Sequence, residues 1–199
     1  MNEKFFELSK DKQDSMINAA LKVFAKDGYQ KASTDTIVKE AGISKGLLFH
    51  YFGNKKTLYC FVLQYSARYQ MMEIARDMDE REKNLFERIR LTEENKRRML
   101  LRYPFLDLFL ICAGKEADAE VRQEAEKWSA AAKDACREVW MAADEALLRG
   151  NLTMEEAIEV VTLCMEGYKN RMVDKCDAPD EVLSGFLPIL EILKRNFIR

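Results

Sequence analysis

Ala41-Gly42-Ile43-Ser44-Lys45-Gly46-Leu47-Leu48-Phe49-His50-Tyr51-Phe52 is the stretch whose reading decides the fold. Gly42 sits where a helix end needs a left-handed backbone, and Ser44, two residues on, can cap a new helix. On the N-terminal side, Ser33 and Thr34 are good N-cap residues, because a hydroxyl accepts from backbone N–H groups that a helix start leaves unpaired. Ile37, Val38 and Ala41 then form the inner face of a short helix. Further upstream Met16, Ile17, Ala20, Leu21 and Phe24 recur at three- and four-residue steps until Gly28 stops the helix they mark. Three short helices with a glycine-containing turn between the second and third are the ingredients of a helix-turn-helix. Leu48 and Phe52, four residues apart, are expected inside with Ile17, Leu21, Phe24 and Ile37, leaving His50 and Tyr51 turned outward.

A fourth helix is expected to open at Asn54 and run into the seventies, since Leu58, Phe61, Val62, Tyr65 and Tyr69 keep the helical spacing. Further helices are expected near Asp79 to Arg102, Pro104 to Gly114 and Ala117 to Arg149, with Gly150 as a stop. Thr153 and Glu156 form a capping box for a helix in which Ile158, Val161, Met165 and Tyr168 share a face. Pro179 suits the first turn of a last helix, which Pro188 should kink or restart. No stretch reads as a strand. The expected architecture is all-α: a helix-turn-helix domain over residues 1–54, fused by a long helix to a larger helical domain over residues 55–199.

The composition agrees with this and removes several alternatives. Of 199 residues 48% are apolar and 33% charged, ordinary values for a globular chain, and only three prolines and eight glycines interrupt it. No apolar run of 18 residues appears and the N-terminus lacks the basic-then-apolar order of a leader, so a cytoplasmic protein without a membrane partner is expected. Five scattered cysteines without a C-x-x-C pair suit a reducing compartment, and with one histidine no metal site or cofactor is expected. The net charge of -2 hides an asymmetry: residues 1–60 carry +3 and the remainder -5. A basic N-terminal part is compatible with a nucleic-acid partner.

Ser33 through Leu58, with the first-helix pattern Ala19-Ala20-Leu21-Lys22-Val23-Phe24-Ala25-Lys26-Asp27-Gly28-Tyr29, the Ala-Gly-Ile-Ser turn, the Phe-His-Tyr-Phe run and the Asn-Lys start of a fourth helix, resembles the TetR family of repressors. The motif covers about a quarter of the chain. The resemblance implies base-facing roles for Lys45, Gly46, Leu47 and Phe49, with Ser44 completing the helix start that enters the major groove. Phe49 departs from the tyrosine that many relatives carry. Phosphate contacts would fall on Ser33, Thr34, His50, Tyr51 and Lys55. The chemistry is consistent: small first residues let the backbone approach base edges, Lys45 can donate to guanine, and hydroxyls, a ring N–H and an ammonium at a helix start donate to phosphate oxygens.

The resemblance further implies a homodimer on a near-palindromic double-stranded operator, with two heads about one DNA turn apart, roughly 34 to 36 Å. A small-molecule effector in the body would release the DNA. Phe105, Phe109, Cys112, Cys136, Trp140, Glu166 and Tyr168 are the candidate pocket residues, because such pockets are mostly apolar with a few polar groups. Val161, Cys164, Gly167, Leu187, Leu190 and Leu193, on helices Thr153 to Lys175 and Pro179 to Phe197, are the candidate dimer contacts. The cluster Lys96, Arg97 and Arg98 reads as a solvated helix face. Two other classes stay open: a helical DNA-binding regulator without a ligand, and an all-helical enzyme. For the enzyme no catalytic residues can be named, since no nucleophile stands beside a base and no nucleotide loop appears.

Overall fold

The computed structural model describes residues 3–76, 78–173 and 185–199. In chain order they form a short 3₁₀ turn at Glu3–Glu7, then α1 (Lys10–Lys31), α2 (Thr34–Ala41), α3 (Lys45–Phe52), α4 (Lys55–Ile74), α5 (Leu85–Leu100), α6 (Leu106–Ala113), α7 (Arg122–Met141), α8 (Met154–Val173) and α9 (Leu187–Phe197). The only β pairing among the described residues is an isolated antiparallel bridge between Leu148 and Ile198. An all-α fold is what the periodicity requires.

The chain groups into two compact units, Met1–Tyr69 with Leu100–Ala131 and Gln70–Met99 with Ala132–Arg199. The three head helices are thus packed in a unit that extends past residue 54. Its core holds Met16, Ile17, Ala20, Leu21 and Phe24 from α1, Ile37 from α2, Leu48 and Phe52 from α3, and Leu58, Tyr59, Val62 and Leu63 from α4. Each set recurs at helical spacing, so each helix turns one stripe inward. α1 bends where Gly28 takes φ 68° and ψ 177°, a conformation that L side chains avoid. At that bend Glu116 accepts from Tyr29 N–H at 2.9 Å and Glu120 from the Tyr29 hydroxyl at 2.5 Å. Near the other end of α1, Asp14 accepts from the Tyr103 hydroxyl at 2.5 Å and from Arg102 Nε at 2.8 Å. Burial pushes the Asp14 carboxyl up, but these bonds and the charges of Lys10 and Arg102 outweigh it and hold the group below its ordinary value.

In the second unit an apolar core joins Leu85, Phe86 and Ile89 of α5 to Cys136 and Trp140 of α7, Ala157, Ile158, Val161 and Met165 of α8, and Leu190 of α9. Helix starts here follow local chemistry. Thr153 and Glu156 form the expected capping box, Glu156 N–H to Thr153 Oγ1 at 3.2 Å and Thr153 N–H to Glu156 Oε2 at 2.9 Å. Pro188 stands in the first turn of α9, which begins at Leu187. Pro179 lies outside the described residues.

Several expected bounds shorten. α5 begins at Leu85 and not at Asp79, because Asn84 Oδ1 accepts from the N–H groups of Phe86 and Glu87 and fixes the start. α7 begins at Arg122 and ends at Met141, well before Gly150. Beyond it Asp144 caps a 3₁₀ turn, Glu145–Leu147, and Arg149 N–H donates to Phe197 O at 2.8 Å.

A candidate DNA-reading head

The turn between α2 and α3 is closed by backbone geometry. Gly42 is left-handed at φ 65°, its N–H donates to Lys39 O, and Ile43 N–H donates to Val38 O at 3.0 Å. Two side-chain caps bracket the pair: Ser33 Oγ accepts from Asp35 N–H and Ser44 Oγ accepts from Leu47 N–H, both at 3.2 Å. Each hydroxyl keeps its own proton to donate outward. α3 divides by face. Leu48, Tyr51 and Phe52 are buried, Phe49 is half-buried, and Ser44, Lys45, Gly46, Leu47 and His50 are exposed. A Cβ placed on Gly46 would meet nothing within 4 Å, so the molecule itself leaves that surface open.

Two expected phosphate contacts sit differently from the expectation that placed them. Tyr51 is not turned outward: it is only 8% exposed, and its ring lies 5.9 Å from that of Phe5. Phe5, from the N-terminal 3₁₀ turn, also packs on Phe52 and Phe61, and this aromatic wedge is what draws Tyr51 inward. Sequence reasoning passed over Phe5; the adjacent Phe5–Phe6 pair ahead of α1 was the available signal. Lys55 Nζ donates to the carbonyls of Tyr29 at 2.9 Å, Gln30 at 3.1 Å and Ala32 at 3.4 Å, and stands 4.6 Å from the centre of the Tyr29 ring. It therefore staples the start of α4 to the end of α1. Of the other three, Ser33 is exposed, Thr34 half-buried and His50 exposed.

Asp35, in the first turn of α2, pairs with Lys45 across the turn, Oδ1 to Nζ 2.8 Å.

The candidate pocket residues divide between the units. Phe105, Phe109 and Cys112 belong to the first, where Phe109 packs on Phe24 and Tyr59 as core. Cys136, Trp140, Glu166 and Tyr168 belong to the second. Trp140 Nε1 donates to Thr92 Oγ1 at 3.1 Å, Tyr168 packs near Phe186, and Glu166 accepts from Lys133 at 2.6 Å near the surface. Lys96 corrects the solvated reading of its cluster: it is 4% exposed and donates to buried Glu93 at 2.8 Å, while Lys169 lies 3.5 Å from the same carboxylate. Burial alone would push the Glu93 carboxyl up, yet the two ammonium groups hold it down to about 2. Gln70 Nε2 reaches Cys136 Sγ beside this group at 3.9 Å. Among the candidate dimer residues, Val161 and Leu190 lie in this chain's own core, and Cys164, Leu187 and Leu193 are half-buried against it. Gly167 is exposed, as are Val160, Leu163 and Ile192.

Comparison with known proteins places this geometry. Residues 16–59 match the family of bacterial regulatory proteins, tetR family. Over 56 residues the chain is 43% identical to an uncharacterised HTH-type transcriptional regulator, YuxN, of Bacillus subtilis (28% of this chain, 19% of the relative). Over 89 residues it is 30% identical to the HTH-type transcriptional activator FasR of Mycolicibacterium smegmatis (45% and 36%). The matches span about a fifth and about a third of these relatives' lengths. Among solved structures, a TetR family transcriptional regulator from Chloroflexus aurantiacus superposes at a TM-score of 0.63 with 23% identity (100% of this chain, 98% of that one). FadR from Bacillus subtilis, solved in complex with stearoyl-CoA, superposes at 0.62 with 16% identity (88% and 96%). Residues 16–59 thus carry the signature of the tetR family of bacterial regulatory proteins, and the chain shares the fold of solved TetR family regulators along its length.

Proposed function

We propose that the protein is a sequence-specific, dimeric DNA-binding repressor, released from a near-palindromic operator by a small, largely apolar effector. The observation that carries the reading is the division of α3: one face is locked into the core by Leu48 and Phe52, while Ser44, Lys45, Gly46 and Leu47 stand exposed at its capped start. A short helix presented end-on in this way fits the major groove. Lys45 is the residue able to donate to guanine N7 and O6. Ser33, Thr34 and His50 supply phosphate donors, with Tyr51 and Lys55 supporting the grip from behind.

The apolar surface of α8 and α9 supports a dimer. Leu163 and Ile192 are each more than half exposed, and exposed Gly167 would let helices approach closely. The stearoyl-CoA held by the Bacillus subtilis FadR supports an effector with a long apolar part, which the aromatic and sulfur-rich interior of the second unit suits. With DNA as its partner, the protein works in the cytoplasm, and binding rather than catalysis is its activity. Among the described residues no helix is long and apolar enough to cross a membrane.

The test is selection of bound sequences from random double-stranded DNA by the full chain. The proposal predicts two inverted half-sites with centres about one turn apart, roughly 34 to 36 Å. A single unpaired half-site would refute the dimeric reading. Retention of a selected operator across a panel of fatty acyl thioesters and other apolar metabolites would favour the second reading, a regulator without an effector.

A further inference from the structure

Lys45 occupies the first position of α3, where the helix's own positive end disfavours a cation. Asp35 answers that charge from the first turn of α2, with Oδ1 2.8 Å from Nζ. Both stay accessible, Asp35 at 70% and Lys45 at 51% of their side chains, and an exposed pair of this kind does little for the fold. A carboxylate on a face that meets phosphates is also a handicap, since it repels the backbone whose charge drives association. Its presence beside the reading lysine calls for a partner on the DNA that a carboxylate can use.

The major groove offers one. Cytosine presents its N4 amino group there as a donor, next to the N7 and O6 acceptors of its paired guanine. An ammonium and a carboxylate held side by side match that pattern, the lysine meeting guanine and the aspartate meeting cytosine in the same base pair or in adjoining ones. Asp35 is well placed to act so, because its backbone is fixed: Ser33 Oγ accepts from its N–H at 3.2 Å. We propose that Asp35 is a specificity-determining residue that accepts from a cytosine amino group at, or next to, the base pair contacted by Lys45. This rests on the reading of α3 as the groove-entering helix.

The experiment compares the sequence preferences of the wild-type full chain, Asp35→Ala and Asp35→Asn on random double-stranded DNA at one salt concentration. Asp35→Ala is expected to lose about five- to hundredfold discrimination at a single base pair per half-site while the other positions keep theirs. Asp35→Asn is expected to move the preference at that pair toward adenine, whose N6 and N7 a carboxamide reads. If Asp35 only repels phosphates, Asp35→Ala will bind every sequence tighter by one common factor with an unaltered preference profile, and the inference fails while the proposed function stands. A wild-type chain without any sequence preference would overturn the proposed function and this inference together.

Discussion

Gly46 leaves an opening that the protein does not need for itself. No neighbour lies within 4 Å of a Cβ built there, and the residue is helical and exposed, so Gly46→Ala should raise stability by about 0.5–1 kcal/mol through helix propensity. On DNA the same methyl would meet base edges, and operator affinity should fall. Thermal melting and a DNA titration of one preparation check both signs, and a variant that is more stable and binds as well as wild type removes Gly46 from the base-facing set. Lys55 should behave in the opposite sense. Its three carbonyl acceptors make it a staple, so Lys55→Met should lower the melting temperature by several degrees and weaken all DNA sequences alike, with the salt dependence unchanged. A salt slope reduced by about one contact would show instead that the ammonium leaves those carbonyls for a phosphate.

At the scale of the element, the helix-turn-helix was legible because its information is local. Ser33, Gly42 and Ser44 act on N–H and C=O groups within a few residues of themselves, so their types and spacing specify the turn before any tertiary contact exists. Tyr51 was misjudged for the converse reason. Its burial depends on Phe5, which lies far off in the chain and belongs to no periodic pattern. In the body the helices were legible and their ends less so, since Asn84 resets the start of α5 within a run of charged residues that reads as helix throughout. For α3, Leu48→Ala should destabilise the head unit by about 2–5 kcal/mol, because Leu48 has no exposed surface and its removal leaves a cavity. Chemical denaturation measures it, and a loss well under 1 kcal/mol would contradict the placement of α3.

Across the whole molecule, the charged interior of the second unit makes stability depend on pH. Glu93 in the native state titrates at about 2, below its ordinary 4.5, so its contribution is complete above about 4.5 and is lost as the pH falls toward 2. Glu93→Gln should flatten that acid limb, and it should lower stability at neutral pH by about 3–5 kcal/mol, since it removes the carboxylate from its buried ion pairs with Lys96 and Lys169. Equilibrium unfolding as a function of pH is the check, and an acid limb identical in the variant would show that the carboxylate carries no native charge interaction. None of this group was legible in the sequence, where Lys96 is indistinguishable from exposed Arg97 and Arg98. Its burial comes from residues distant in the chain, Lys169 of α8 and Cys136 of α7 among them.

Competition at one physiological salt concentration, between a duplex that the full chain selects from random double-stranded DNA and a scrambled duplex of equal length and composition, decides whether the head formed by α1, α2 and α3 chooses among DNA sequences. The selected duplex is expected to bind tighter by about a thousandfold or more. Equal affinities for the two duplexes would contradict that choice.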